Sequence, residues 1–314
     1  MLTLNAAAAS VADQLAATAE MHRVTVHTVG GARVIDCGAV ARGGLSAGVM
    51  LARVCLGDRG TVEIVPGVFA EVPTAAVQVW TDDPVRACLA SQYAGWRVKA
   101  GRFFAMGSGP MRALAAREEL YQQIPGKEEC VHAVGVLEAG MLPTAEVIIA
   151  IVEKLPITAE KLTLLVAPAS SLAGSIQVVA RTVETAMHKL HELKFDVTQV
   201  VAGHGVAPLP PIAADDLAAI GRTNDAILYG GRVTLWVDCE DSVIESIGPQ
   251  VPASASRDYG APFAEIFARA GDFYQIDPLL FSPAEISFVN LRSGRAYVYG
   301  ELNPRLLRKS FFEG

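Results

Sequence analysis

Residues 162–166 read Leu-Thr-Leu-Leu-Val, a near-continuous apolar run of the kind that fills strands buried on both faces. A loop of small residues follows, Ala-Pro-Ala-Ser-Ser-Leu-Ala-Gly from 167 to 174, and it feeds a helical pattern over 172–193. Strand, small-residue loop and helix in that order point to an α/β protein. Such folds place ligands outside the carboxyl end of the strand.

The 172–193 helix carries two stripes. At 100° per residue, Ile176, Val179, Val183, Met187 and Leu190 fall within about 80° of one another, which makes a core-facing seam. Roughly a third of a turn away, Gln177, Arg181, Glu184 and His188 form a narrower row, with His191 at its edge. An amide, a guanidinium, a carboxylate and an imidazole in one line suit a helix wall that meets a cleft. The alternative from spacing alone is an i,i+3 ion pair between Arg181 and Glu184 on a solvated face, which contributes about 0.3 kcal/mol.

At 314 residues the chain is long for one core and short for three, so two domains or one large intertwined α/β unit is expected. A hydrophobic content of 51% with 28 glycines and 19% charged residues describes a folded, closely packed protein and excludes disorder. The net charge of −7, with no basic block anywhere, speaks against a nucleic-acid partner. Cys37, Cys55, Cys88, Cys130 and Cys239 lie far apart and are odd in number. That pattern fits free thiols in a reducing compartment, and neither a disulfide scaffold nor a zinc site. The N-terminus lacks the positive region of a signal peptide, and no apolar run is long enough to cross a bilayer. A cytoplasmic protein without membrane attachment is therefore expected.

Along the chain, a helix is predicted over 3–21, then strands over 24–29 and 32–36 joined in a hairpin at Gly30-Gly31. Strands over 61–65 and 75–81 precede Asp83-Pro84, an N-cap and first-turn proline that start a helix running to about Gly95. A helix over 111–124 follows Met106-Gly-Ser-Gly-Pro110. The N–H groups of the Gly107-Ser108-Gly109 junction suit an anion such as phosphate or carboxylate. Its spacing matches neither a P-loop nor a dinucleotide fingerprint, so neither ATP nor NAD is supported. Residues 130–137 and 146–152 read as strands, and 195–202 as another that ends at Gly203-His204-Gly205. A helical segment from Asp215-Asp216 to Gly221, a strand over 232–238 and helices over 241–247 and 262–270 come next. The chain closes with a hairpin around Arg292-Ser-Gly294.

Four of these segments, in this order, resemble the methenyltetrahydromethanopterin cyclohydrolases of archaea and methylotrophic bacteria, and the resemblance covers nearly the whole chain. They are Gln92-Tyr-Ala-Gly-Trp96, Met106-Gly-Ser-Gly-Pro110 with Arg112-Ala-Leu, Arg181-Thr-Val-Glu184, and Gly221-Arg-Thr-Asn-Asp-Ala-Ile-Leu-Tyr229. The resemblance implies a family-specific, non-Rossmann fold of two α/β domains flanking a deep cleft. Residues 1–314 would form one two-lobed unit, with the 172–193 helix lining that cleft. It further implies a homotrimer without cofactor or metal. The reaction implied is reversible hydrolysis of the 5,10-methenyl bridge of tetrahydromethanopterin, in its dephospho form, to the N5-formyl derivative in one-carbon metabolism.

The family's catalytic arginine and glutamate fall on Arg181 and Glu184. Gln177 and His188 share their stripe and are candidates for substrate contact. Ser108 and Gly109 are candidates for a polar edge of the pterin, Asn224 and Asp225 for its N–H groups, and Tyr93 and Tyr229 for stacking on the ring. Caps, turns and core packing are the competing roles for each of these. A pterin-binding protein without turnover is the competing function. A folate cyclohydrolase is disfavoured, because those enzymes go with a nicotinamide-binding fold that is absent here.

Overall fold

A computed structural model of the chain describes residues 2–66, 71–271 and 275–313. Its strands, in chain order, are β1 (Thr25–Val29), β2 (Ala32–Asp36), β3 (Thr61–Val65), β4 (Ala76–Thr81), β5 (Trp96–Ala100) and β6 (Phe103–Ser108). They continue with β7 (Ala133–Glu138), β8 (Leu162–Val166), β9 (Val200–Pro208), β10 (Arg232–Val237), β11 (Glu285–Asn290) and β12 (Ala296–Gly300). The helices are α1 (Leu4–Ala17), α2 (Ala19–His22), α3 (Leu45–Cys55), α4 (Met111–Ala115), α5 (Ala145–Val152) and α6 (Leu172–Val179). After these come α7 (Thr182–Glu192), α8 (Asp216–Gly230), α9 (Asp241–Ile247), α10 (Phe263–Ala270) and α11 (Pro304–Phe312). The chain divides into two units, Met1–Thr61 with Val85–Gln177, and Val62–Pro84 with Val178–Gly314. Among the described residues each unit is built on one six-stranded mixed sheet, so the protein is α/β and not of the all-parallel, doubly wound kind.

In the first unit the strand order is β1-β2-β8-β7-β6-β5. The hairpin at Gly30-Gly31 forms as expected: both glycines have positive φ, 54° and 88°, the backbone that a two-residue hairpin turn needs. β2, β8 and β7 run parallel, and β6 and β5 are antiparallel. All five residues of β8 are buried. Leu164 packs on one face with Val147, Ile148 and Phe103, while Leu165 packs on the other with Leu15, Leu51 and Val54. Helices thus cover both sides of the apolar strand.

Two expectations fail here, each for a local reason, and a third holds with a different helix type. Residues 146–152 are helix, not strand: Thr144 caps α5 by accepting from the Val147 N–H at 3.5 Å, and Val147, Ile148 and Ile151 bury one helical face. Seven residues of nearly unbroken hydrophobicity carry no period that separates the two. The 111–124 helix stops at Ala115, because Ala116 turns to φ 44° and a single 3-10 turn (Glu119–Gln122) follows. The helix expected after Asp83-Pro84 forms over Val85–Gln92, but as a π-helix, with Tyr93 N–H donating to the Cys88 carbonyl at 2.8 Å.

In the second unit the order is β12-β11-β10-β9-β4-β3. β10 and β11 are parallel; β4, β9 and β10 pair antiparallel, and β11–β12 is the expected C-terminal hairpin. β9 does not end at Gly203-His204-Gly205 but runs through it for nine residues. The glycines mark close packing, not a loop. A Cβ on Gly203 would lie 2.7 Å from Val183 Cγ1, and one on Gly205 would lie 3.0 Å from Val183 Cγ2 and 3.1 Å from Thr182 Cβ. Likewise Gly221 does not end its helix. α8 spans 15 residues from an Asp215 cap, and Gly221 faces Ala264 of α10. No helix of the described residues is long and apolar enough to cross a membrane.

Candidate active site

Residues 172–193 form two helices, not one. α6 ends at Val179 and α7 starts at Thr182, with Ala180 and Arg181 in a turn between them. Arg181 N–H reaches back three residues to the Val178 carbonyl at 3.0 Å, and the Thr182 hydroxyl donates to the Val179 carbonyl at 2.7 Å. A threonine hydroxyl that satisfies a carbonyl at a helix end gives the backbone an alternative to the next helical bond. The seam survives the break: Ile176, Val179, Val183, Met187 and Leu190 are all fully buried. The polar row does not stay continuous, since Gln177 belongs to α6 while Glu184 and His188 belong to α7.

Arg181 occupies the N-cap position of α7 and Glu184 its first turn. Their side chains are 9% and 6% exposed, with Nη1 and Oε2 3.8 Å apart. That is an ion-pair separation and too long for a hydrogen bond between those two atoms. The burial removes the solvated-face alternative, because a surface pair leaves its head groups in water. The carboxylate also sits where the first-turn amides of α7 and the positive end of its dipole favour negative charge. What the sequence places here is a buried carboxyl group beside an arginine, at a helix start wedged against two glycines of β9.

Four other candidates lie in the first unit. Gln177 and Ser108 meet at Cys55: the Gln177 amide donates to Sγ at 3.4 Å, and Ser108 Oγ lies 3.1 Å from the same sulfur. All three are buried. Gly109 has φ 90° and donates its N–H to the Ser91 carbonyl at 2.8 Å. Proline at 110 has no N–H, so the junction does not present the row of free amides that its sequence suggests. The Tyr93 ring lies 5.0 Å from the Arg112 guanidinium.

The remaining candidates lie in the second unit. His188 Nε2 stands 3.7 Å from the Glu192 carboxylate. Asn224 donates to the Ile220 carbonyl of its own helix at 2.8 Å. Asp225 is buried, accepts from the Phe263 N–H at 2.8 Å, and thereby caps α10 behind Pro262. Burial pushes its carboxyl up to about 7, against the lowering effect of the Ser310 and Phe263 donors. Tyr229 donates to the Ala261 carbonyl at 2.5 Å and packs on Tyr259.

Sequence reasoning missed two buried cations. Arg112 is fully buried, grips Glu118 through two nitrogens, and donates to the Leu89 carbonyl at 3.1 Å. Lys189, on α7, is buried with its ammonium on the Leu279 carbonyl. Burial pulls it down to about 8 while Asp277 opposes that shift. A lysine directly beside seam residue Leu190 was the available signal.

Two mixed-sheet units and a buried arginine–glutamate pair at a helix start define an α/β protein outside the dinucleotide-binding class. Comparison with known proteins narrows that class. The family model described as Cyclohydrolase (MCH) matches residues 3–311. The methenyltetrahydromethanopterin cyclohydrolase of Rhodopirellula baltica is 50% identical over 290 residues, covering 90% of this chain and 87% of that protein. The enzyme of that name from Methylobacterium organophilum is 48% identical over 98% of this chain and 97% of its own length. That of Methanospirillum hungatei is 44% identical over 99% of each. The chain belongs to the methenyltetrahydromethanopterin cyclohydrolase family.

Proposed function

We propose that this chain is a hydrolase that opens the 5,10-methenyl bridge of methenyltetrahydromethanopterin to the N5-formyl compound, with Glu184 and Arg181 as its catalytic residues. The relatives' names support the reaction, and the buried Arg181–Glu184 contact is the observation that carries the mechanism. The methenyl carbon belongs to an amidinium-like cation and is electrophilic without a Lewis acid. Hydrolysis needs a water held against that carbon and a base to take its first proton. A carboxylate beside the cation supplies both and stabilises the positive charge as it redistributes.

Addition gives a neutral carbinol and a protonated Glu184. Breaking one bridge C–N bond then requires a proton on the leaving nitrogen, and Glu184 returns the one it took. The carbinol hydroxyl releases its proton to solvent as the formyl C=O forms, so cation and water become formyl product and one free proton. Arg181 stays protonated throughout and is no general acid. Its tasks are to hold the carboxylate in its ionised form and to donate to the emerging formyl oxygen. The dephospho carrier, reversibility, a role in one-carbon metabolism, action without cofactor or metal, and a cytoplasmic homotrimer belong to the same reading and rest on the family resemblance.

The test is loss of the methenyl absorbance band on adding the protein, with Glu184→Gln alongside. Rapid decay with wild type and at least ~100-fold slower decay with the variant is expected. No decay with binding intact would turn the chain into a pterin-binding protein. Matching pH–rate profiles for wild type and Glu184→Gln would remove the base role.

A further inference from the structure

We infer that Thr182 and Gly205 are positioning residues for the reaction: together they break the helix and seat the new start so that Arg181 and Glu184 stand at its N-terminus. This rests on the reading of Arg181 and Glu184 given above. The hydrophobic seam by itself predicts one continuous helix through 172–193. In a continuous helix the amides of Thr182, Val183 and Glu184 would be bonded to the carbonyls one turn back. Glu184 would then lie mid-helix, away from any helix end.

The structure instead gives α6's last carbonyl to a side chain. Thr182 is fully buried, and its hydroxyl takes the Val179 carbonyl at 2.7 Å. Arg181 turns back to Val178 at 3.0 Å, and Thr185 N–H takes the Arg181 carbonyl at 2.8 Å to open the new helix. The new start puts Glu184 in the first turn of α7, where the helix dipole complements an anion.

The second element is steric. The first turn of α7 lies so close to β9 that a methyl group on Gly205 would stand 3.0–3.3 Å from Val183 and Thr182. The two glycines fix the depth at which Thr182 and Val183 pack, and so the height of the neighbours on either side, Arg181 and Glu184. An arrangement that needs a water, a carboxylate and a carbon aligned is sensitive to such shifts. A misplacement of about 1 Å costs on the order of 100-fold in rate.

The experiment is steady-state hydrolysis of methenyltetrahydromethanopterin by the full-length protein, with melting curves for every variant. Thr182→Val keeps the volume and removes the hydroxyl, and Thr182→Ser keeps the hydroxyl. Expected are a fall in kcat of about 10-fold or more with KM within about twofold for Thr182→Val, and near wild-type kcat for Thr182→Ser. Ser282→Ala is the control, since it removes another fully buried hydroxyl bond, to the Val251 carbonyl at 2.6 Å. It should lower Tm and leave kcat unchanged. Gly205→Ala tests the seat independently, should Thr182→Val not fold, and is expected to lose kcat likewise.

Wild-type kcat in Thr182→Val or in Gly205→Ala, or equal impairment by Ser and Val, would overturn the inference. Turnover that survives Glu184→Gln sinks the underlying reading instead. A dead Glu184→Gln beside a fully active Thr182→Val sinks the positioning role alone.

Discussion

Two of the segments that mark the family resemblance lie on neighbouring helices of the chain and bury polar groups alike, yet they do opposite things. On α7, Arg181 and Glu184 meet across 3.8 Å, an ion pair with no hydrogen bond between those atoms. On α8, the polar groups serve the fold: Asp225 caps α10, Tyr229 holds the Ala261 carbonyl, and Asn224 bonds within its own helix. Polar residues in a recurrent motif therefore divide by where their hydrogen bonds go. Groups that complete a neighbouring helix contribute stability, whereas the role proposed for the charged pair at the α7 start is to meet a charged substrate.

That contrast is exposed to four measurements. The largest effect is expected from Glu184→Gln, which should slow hydrolysis by about 100- to 10,000-fold with little change in Tm. An active Glu184→Gln would erase the difference between the helices.

Asp225→Asn comes next, and its signature is a pH-dependent stability. The folded carboxyl near 7 lies above its unfolded value of 3.8, so the folded state binds more protons between those limits. Asp225 thus supports the fold fully below about pH 4, and the support is lost as pH rises towards 7. A permanently neutral asparagine escapes that loss. Its stability relative to wild type should rise between pH 5 and 8, by up to on the order of 3 kcal/mol, as read from urea midpoints. A flat difference across that range would show that the carboxyl titrates in the same way folded and unfolded.

Tyr229→Phe should cost about 1 kcal/mol in stability, for one lost hydrogen bond, and leave KM within about twofold. A KM raised tenfold would place that ring against the substrate and break the comparison on its α8 side. Asn224→Ala, whose bond lies within one helix, should change stability by no more than about 0.5 kcal/mol. Tenfold weaker substrate binding by this variant would do the same damage.

How much of the fold and the site is legible in the sequence depends on how locally each feature is determined. Paired glycines between alternating runs specified the β1–β2 hairpin, and the apolar 162–166 run specified a strand covered on both faces. Those signals need only neighbours in sequence. Gly203 and Gly205 misled because their reason lies on α7, about 20 residues earlier in the chain, and a glycine required by packing looks like a glycine required by a turn. Residues 146–152 misled because an almost wholly apolar run carries no period.

The Arg181–Glu184 pair was legible as chemistry but not as geometry. Spacing put Arg181 and Glu184 on one face, while the break that places them at a helix start depends on one hydroxyl, at Thr182. Asp225 and Tyr229 illustrate the converse: nothing in sequence distinguishes a carboxylate that caps a distant helix from one that awaits a ligand.

The interleaving of the two units has a consequence for synthesis. β4 belongs to the second unit but is made before most of the first, and its Val79 pairs with Gly205, about 126 residues later. At 5–20 residues per second the ribosome takes roughly 6–25 s to deliver that partner. Throughout this interval an apolar strand, with Val77 and Val79 destined for full burial, has β3 as its neighbour but lacks β9, its partner on the other side. Neither unit is a continuous stretch that a single truncation could release, because β3 and β4 are separated in sequence from the other strands of their sheet by Val85–Gln177 of the first unit.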